Sequence, residues 1–410
     1  MNHPPRALLL EGIDDAAQPI LTDAGFEVST QLGSLEGDAL INALEGIDVL
    51  GIRSKTRIPV SVLDARPDLL AIGCFCIGTD QVSLVEANRR GVAVFNSPFS
   101  NTRSVAELTI AEIVALHRRL LERSNDLHEG RWRKSAQGAN EIRGRTLGIV
   151  GYGHIGSQLS VLAEAMGMRV LYHDVAPKMA IGNARSSASL AQLLRECDVI
   201  SVHVPDTPTT KGLFGAETFA TMRQGAIFIN NARGSVVDLD ALAASLQSGH
   251  LRGAAVDVFL GEPRTSDGTF STPLAGLSNV ILTPHIGGST HEAQRAIAED
   301  TANKLRMYLL EGSTLSSISV PQVDLPPLRQ NQSRILHFHR NVPGVLSRMH
   351  TMLAELNVNI YAEYLQSDLE TSYVILDIDS GHDEAIEVGM RAIDETIRVR
   401  RVSCSSFESE

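Results

Sequence analysis

The sequence predicts an α/β chain: two doubly wound α/β units followed by a small βαββαβ module. Three observations predict it. From residue 7 to about 100, short apolar runs alternate with amphipathic stretches, and the same rhythm restarts between about 144 and 290. That is the pattern of parallel strands joined by crossover helices. Between 312 and 332 the chain turns polar and proline-rich ("SVPQVDLPPLRQNQ"), the composition of a linker, and the last 78 residues follow a different order.

Composition narrows the function classes. At 410 residues the chain exceeds one ordinary core, and 43% apolar with 20% charged residues reads as globular. A net charge of −12 argues against nucleic acid or an anionic membrane as partner, although a local arginine cluster can still hold an anionic small molecule. No apolar run reaches membrane-span length, and "MNHPPRALLL" lacks the features of a signal peptide, so a cytoplasmic protein is expected.

In the first unit the strands are "ALLLEG", "DVLGIRS", "LLAIGCFCIG" and "VAVFN". Cys74 and Cys76 alternate within the third and are expected on one face of a buried strand. With Cys197 and Cys404 elsewhere, no complementary Cys or His pair follows at zinc-site spacing, and no metal is expected. A long helix comes next, "SVAELTIAEIVALHRRLLERSND". Ser104 and Glu107 stand at capping-box spacing, and Val105, Ile113, Leu116 and Leu120 fall on one face. The second unit reads "TLGIVGYGHIG", "MRVLYHD", "DVISVHVP", "AIFINNARG", "GAAVDVF" and "NVILTPHIGG". The segment 293–312 is helical and can cross back to the first unit. Beyond it, "RILHFHR", a helix, "NIYAEYLQ", "TSYVILDID", a helix from about 383 and "TIRVRRV" give the order of a ferredoxin-like plait.

"GIVGYGHIGSQL" places Gly151, Gly153 and Gly156 directly after an apolar strand and before an amphipathic helix. The first glycine permits a tight turn, the second lets the backbone approach a pyrophosphate, and the third allows close helix–strand packing. The next strand ends in Asp174, whose carboxylate suits ribose hydroxyls and repels a 2′-phosphate. NAD is therefore expected over NADP, with Lys178 four residues on as a counterweight.

A hydride-transfer enzyme also needs a proton acceptor and an anchor for an oxyanion. Arg233, Glu262 and His285 each follow a predicted strand of the nucleotide-binding unit, where an α/β sheet exposes its ligand-facing ends. Singly they read as a surface charge, a loop glutamate and a satisfied histidine. Together they suit substrate orientation (Arg233), acid/base work (His285) and tuning of that imidazole (Glu262).

"GYGHIG", "NNARGSVVD", "GAAVDVFLGEP" and "LTPHIGGST" together resemble the D-isomer-specific 2-hydroxyacid dehydrogenases. "IGCFCIGTDQV", "FNSPFSNTRSVAEL" and "HRNVPGVL" narrow the resemblance, over essentially the whole chain, to the branch that oxidises D-3-phosphoglycerate on the way to L-serine. The resemblance implies two Rossmann-like domains: a discontinuous substrate domain (1–103 and 293–320) and an NAD domain (104–292). It also implies a linker (321–332) and a C-terminal ACT domain (333–410). It places catalysis on Arg233, Glu262 and His285. Cofactor contacts fall on Gly151, Gly153, His154, Ile155, Gly156, Asp174, Asn231, Ala232, Arg233, Asp257, His285, Gly287 and Gly288.

Phosphate recognition is expected at "GIRSKTRIP", where Arg53, Ser54, Lys55 and Arg57 can grip a phosphate. Close relatives carry arginine where Lys55 stands, so the bidentate fork is lost there. "GRWRKSA" adds Arg131, Arg133 and Lys134, either as a solvated basic loop or as a subunit contact reaching a neighbouring active site. The same cations would suit 2-oxoglutarate as a side substrate. In the ACT resemblance, His339, Asn341 and Asn359 grip L-serine between two modules. Asn341 alone also reads as a helix cap, and the family's usual glycine is Ser372 here. A homo-oligomer, naturally a tetramer, follows from two separate interfaces. Two rivals remain: another D-2-hydroxyacid dehydrogenase of the glyoxylate/hydroxypyruvate reductase type, and an NAD-sensing regulator of the same fold.

Overall fold

The structure is a computed structural model that describes residues 3–263 and 269–403; Cys404 and the rest of the C-terminus lie outside the described residues. The chain divides into two compact units, 1–100 with 294–410, and 101–293. The boundary therefore groups the expected substrate and ACT domains together.

The first unit opens with a five-stranded parallel sheet of β1 (Arg6–Leu9), β2 (Glu27–Thr30), β3 (Val49–Ile52), β4 (Ala71–Cys74) and β5 (Ala93–Asn96), in the order β2-β1-β3-β4-β5. Its central strands are buried on both faces, which is why they read as unbroken apolar runs. β2 ("EVST", mostly exposed) is an edge strand whose polar sequence carried no strand signal. Cys74 ends β4, so Cys76 sits in the following turn rather than on the strand, although both thiols join the same apolar cluster. The helix His291–Glu311 returns to this sheet as expected, burying Ile297, Ala302, Leu305 and Tyr308 against its core.

The second unit holds β6 (Thr146–Val150), β7 (Arg169–His173), β8 (Arg185–Ser186), β9 (Val199–Val202), β10 (Ile227–Asn230), β11 (Gly253–Val256) and β12 (Val280–Leu282). Their order, β12-β11-β10-β9-β6-β7-β8, is doubly wound with its switch point between β6 and β9. The expected long helix is two. Thr102–Arg118 ends where Arg119 adopts the left-handed conformation (φ 54°), and Leu120–His128 follows. The break takes Leu120 off the apolar face; it is exposed while Val105 and Ile113 are buried. The capping box does not form either: the helix starts at Thr102, Ser104 Oγ donates to the Gly287 carbonyl (2.6 Å), and Glu107 pairs with Arg103.

The ferredoxin-like plait belongs to the first unit: β13 (Gln332–Arg340), β14 (Ile360–Ser367), β15 (Thr371–Asp379) and β16 (Thr396–Ser403), antiparallel in the order β14-β15-β13-β16. Two helices, Val345–Glu355 and Asp383–Arg391, complete the βαββαβ order. The segment expected as a linker is not a free tether. Val320, Val323 and Leu325 are buried, Ser317 bridges to Phe95, the Thr314 N–H donates to the Val323 carbonyl, and Thr314 Oγ1 accepts the Val323 N–H. Alternate apolar residues in "SVPQVDLPP" seal the sheet edge, a pattern that its prolines obscure.

Candidate active site

The glycine turn after β6 has the geometry its residue types require. Gly151 has φ 93°, and a Cβ there would lie 2.5 Å from the His203 carbonyl oxygen. A Cβ on Gly156 would lie 2.3 Å from the Gly151 carbonyl oxygen, so the helix His154–Ala165 packs on the turn only without one. A Cβ on Gly153, at the helix N-cap, would meet nothing within 4 Å. The turn thus leaves open space beside a helix N-terminus, which fits the pyrophosphate of a dinucleotide. His154 and Ile155 begin that helix. Asp174 follows β7, and its oxygens accept the Tyr152 N–H (2.8 Å) and the Ala176 N–H (2.9 Å), fixing the carboxylate at the sheet's end.

Arg233, Glu262 and His285 come off the ends of three neighbouring strands, β10, β11 and β12. His285 Nδ1–H donates to Glu262 Oε2 at 2.8 Å, and Glu262 Oε1 accepts the Phe259 N–H at 2.9 Å. The Glu262 bond holds the His285 pKa above its ordinary value despite partial burial. Burial pushes the Glu262 carboxyl up, but the bonds from His285 and Phe259 outweigh it and hold it below the usual range. The positive charge of Arg233 acts on both groups. One residue the sequence reading passed over brings them together. A Cβ on Gly234 would lie 2.3 Å from the Phe259 carbonyl carbon, so only glycine lets the Arg233 turn close on the Glu262 loop.

Two expected cofactor contacts have structural roles. Asp257, buried, is the hub of the His285 loop: its carboxylate accepts from Thr283 Oγ1 (2.6 Å), Ile286 N (2.8 Å) and Gly287 N (2.8 Å), while its carbonyl accepts the His285 N–H. Asn231 points its amide inward, donating to Glu112 Oε2 (2.7 Å) and Thr109 Oγ1 (3.0 Å), beside the small Ala232. Burial pushes the Glu112 carboxyl up to about 8 against the Asn231 bond. Gly287 and Gly288 pack against Val105 and Asn101, where a Cβ on Gly288 would lie 2.7 Å from the Asn101 amide nitrogen. Glu112 was missed because a glutamate inside a helix reads as a solvated face.

In the first unit, Arg53, Ser54, Lys55 and Arg57 follow β3 as expected, with Ser54, Lys55 and Arg57 exposed. Among the described residues none of the three cations pairs with an acid. Their backbone is held by Glu11, another residue given no role from sequence: Oε1 accepts the N–H groups of Thr56 (2.7 Å) and Arg53 (3.2 Å), and Oε2 that of Lys55 (2.9 Å). Lys134 is exposed in the loop after Leu120–His128, whereas Arg131 and Arg133 turn back onto Asp126.

Residues 110–287 match the D-isomer specific 2-hydroxyacid dehydrogenase, NAD binding domain family, and residues 335–401 the AHAS small subunit-like ACT domain family. The chain is 47% identical to a D-3-phosphoglycerate dehydrogenase of Haemophilus influenzae and 46% identical to one of Escherichia coli, covering 96% of this chain and of each relative. The chain belongs to the D-3-phosphoglycerate dehydrogenase family. Among solved structures it is similar to a D-lactate dehydrogenase from Aquifex aeolicus complexed with NAD and lactic acid (TM-score 0.64, 28% identity, 74% of this chain and 95% of that one). The chain is an NAD-dependent dehydrogenase with a C-terminal ACT domain. Among the described residues no helix is long and apolar enough to cross a membrane.

Within the ACT domain the expected effector residues are not all together. Asn341 Nδ2 donates to the Asp368 carbonyl (2.7 Å), and His339 lies buried with Nδ1 on the Arg340 carbonyl (2.8 Å) and Nε2 without a hydrogen-bond partner among the described residues. Burial lowers the His339 pKa. Asn359 is exposed at the far end of β15, where its N–H meets Asp379, while His339 pairs with Ser372 at the near end. His337 is occupied: Nε2 contacts Thr396 Oγ1 (2.7 Å), Nδ1 contacts Met349 Sδ (3.2 Å), and burial takes its pKa down to about 3.

Proposed function

We propose that the chain oxidises D-3-phosphoglycerate to 3-phosphohydroxypyruvate, the entry step of phosphorylated L-serine biosynthesis, and that L-serine inhibits it through the ACT domain. The observation that carries the reaction is the 2.8 Å His285–Glu262 contact set beside Arg233 on three adjacent strand ends. Bound at the glycine turn, NAD supplies the acceptor for the hydride. His285 Nε2 takes the hydroxyl proton, and Glu262 fixes the tautomer and stabilises the imidazolium that results. Arg233 holds the substrate carboxylate and polarises the forming carbonyl. Arg53, Ser54, Lys55 and Arg57 grip the phosphate, with Lys134 contributing from a neighbouring subunit. Gly151, Gly153, Gly156, His154, Ile155 and Asp174 hold the cofactor.

The positions of His339, Asn341 and Asn359 at opposite ends of β15 support an effector site built from two copies, one giving the histidine and Asn341, the other Asn359. Such a site makes the working form an oligomer, a tetramer if the NAD domains pair as well. The exposed cations also suit 2-oxoglutarate as a weaker substrate. The test is the initial rate of NADH formation from NAD and D-3-phosphoglycerate, with and without L-serine. Turnover suppressed by serine is expected. Turnover indifferent to serine would remove the effector reading and leave the reaction standing. Absence of turnover would remove the reaction.

A further inference from the structure

The loop carrying Arg53, Ser54, Lys55 and Arg57 has no regular structure of its own; it is wrapped around a side chain from the turn after β1. Glu11, just past β1, is buried, and its carboxylate accepts three backbone N–H groups of that loop, from Arg53, Lys55 and Thr56. Glu11 has φ 64°, followed by Gly12 at φ 58°. A glutamate rarely adopts this left-handed conformation and persists in it where its surroundings over-determine it. The loop is clamped from the other side too: Gln81 Nε2 donates to the Arg53 carbonyl (2.7 Å), and the Gln81 carbonyl accepts the Ile58 N–H (2.8 Å). An acid behind an anion site would weaken that site if its charge reached the ligand. Here three backbone N–H groups share that charge, and among the described residues Arg53, Lys55 and Arg57 form no ion pair with an acid.

We propose that Glu11 is a positioning residue that sets specificity: its carboxylate templates the 53–56 backbone, and preference for a phosphorylated over an unphosphorylated 2-hydroxy acid depends on it. The proposal rests on the reading that Arg53, Lys55 and Arg57 grip the substrate phosphate.

The experiment is steady-state kinetics at saturating NAD, with D-3-phosphoglycerate and with D-glycerate, on the wild-type chain, Glu11→Gln and Arg53→Ala. Glutamine keeps the shape but turns one acceptor into a donor facing an N–H. Losing one charge-assisted bond and setting a donor against another predicts a KM for D-3-phosphoglycerate raised about tenfold, with kcat within about twofold. The KM for D-glycerate and for NAD stays within about twofold of wild type. Equal losses on both acids would reduce Glu11 to a fold element and overturn the proposal. A lowered KM for D-3-phosphoglycerate would show that its charge repels the ligand and would also overturn it. Should Glu11→Gln fail to fold, Gln81→Met decides: a selective rise of about threefold in the D-3-phosphoglycerate KM supports the template, and an unchanged ratio overturns it. Arg53→Ala separates the two layers. If it leaves the preference untouched, the phosphate-grip reading falls and takes the proposal with it. If it abolishes the preference while Glu11→Gln does not, only the proposal falls.

Discussion

As the proposed base, His285 must be neutral to take a proton, so the Glu262 bond that raises its pKa would also set the pH at which oxidation begins. Glu262→Gln removes the largest cause of that rise. The acid limb of the kcat/KM profile for oxidation is then expected to move to lower pH while the plateau falls by about 10- to 100-fold; a pH–rate profile in which the limb stays put would break the assignment. Glu112 makes the opposite kind of prediction. Its folded pKa, about 8, lies above its ordinary 4.5, so between those values the folded state binds more protons than the unfolded one. Stability is fully present below about 4.5 and is lost as pH rises through about 8. Glu112→Gln is neutral and isosteric, so it should melt higher than wild type at pH 9, by an amount on the order of 1–3 kcal/mol, and show little difference at pH 5. Of the site's residues, Arg233, Glu262 and His285 were legible because chemistry restricts their types and strands precede each of them. Glu11 and Glu112 were not. Their partners lie from 42 to 119 positions away, and local sequence carries no sign of burial for a glutamate.

Strands buried on both faces were legible as apolar runs. Polar edges (β2, β8) were not, because an exposed strand shows little of the hydrophobic pattern. Helix ends were read from spacing alone, and Ser104 shows how that fails: its hydroxyl serves the His285 loop instead of its own helix. The glycine turn is the element whose sequence signal and geometry agree most closely. In Gly156→Ala the new methyl meets a backbone oxygen that cannot rotate away. A loss of about 1–3 kcal/mol in unfolding free energy is expected, with NAD affinity weakened at least about tenfold. Thermal melts and NAD titration would check both, and an unaltered affinity would mean that the turn does not face the cofactor.

Across the first unit, the ACT sheet and the five-stranded sheet share one apolar cluster, in which Phe95, Leu305 and Leu309 meet Leu336, Phe338, Tyr373 and Ile375. Phe338 stacks on Tyr373 with centroids 4.0 Å apart, and Tyr373 Oη donates to the Gly312 carbonyl (2.7 Å). Arg334, fully buried, pairs with Asp377 (2.6 Å) and donates to the Glu311 and Pro326 carbonyls. Asp377→Asn would strand that guanidinium without its counter-charge. A destabilisation of about 3–5 kcal/mol is expected, measurable by urea unfolding of the full chain; a change below about 1 kcal/mol would show that the carbonyls alone suffice.

The sealed strap at 312–325 has a consequence for how such a chain can change over time. The ACT module looks appended in sequence, yet a gene truncated before β13 would leave Phe95, Leu305 and their neighbours facing water. Deletion of the module is therefore expected to expose an apolar surface that favours aggregation. If the module senses L-serine as proposed, escape from that feedback is expected through single substitutions at the proposed effector residues, with the silent module kept as scaffold. On that reading the fusion would act as a ratchet: with the two sheets sharing a core, the module can lose its ligand more easily than it can be lost.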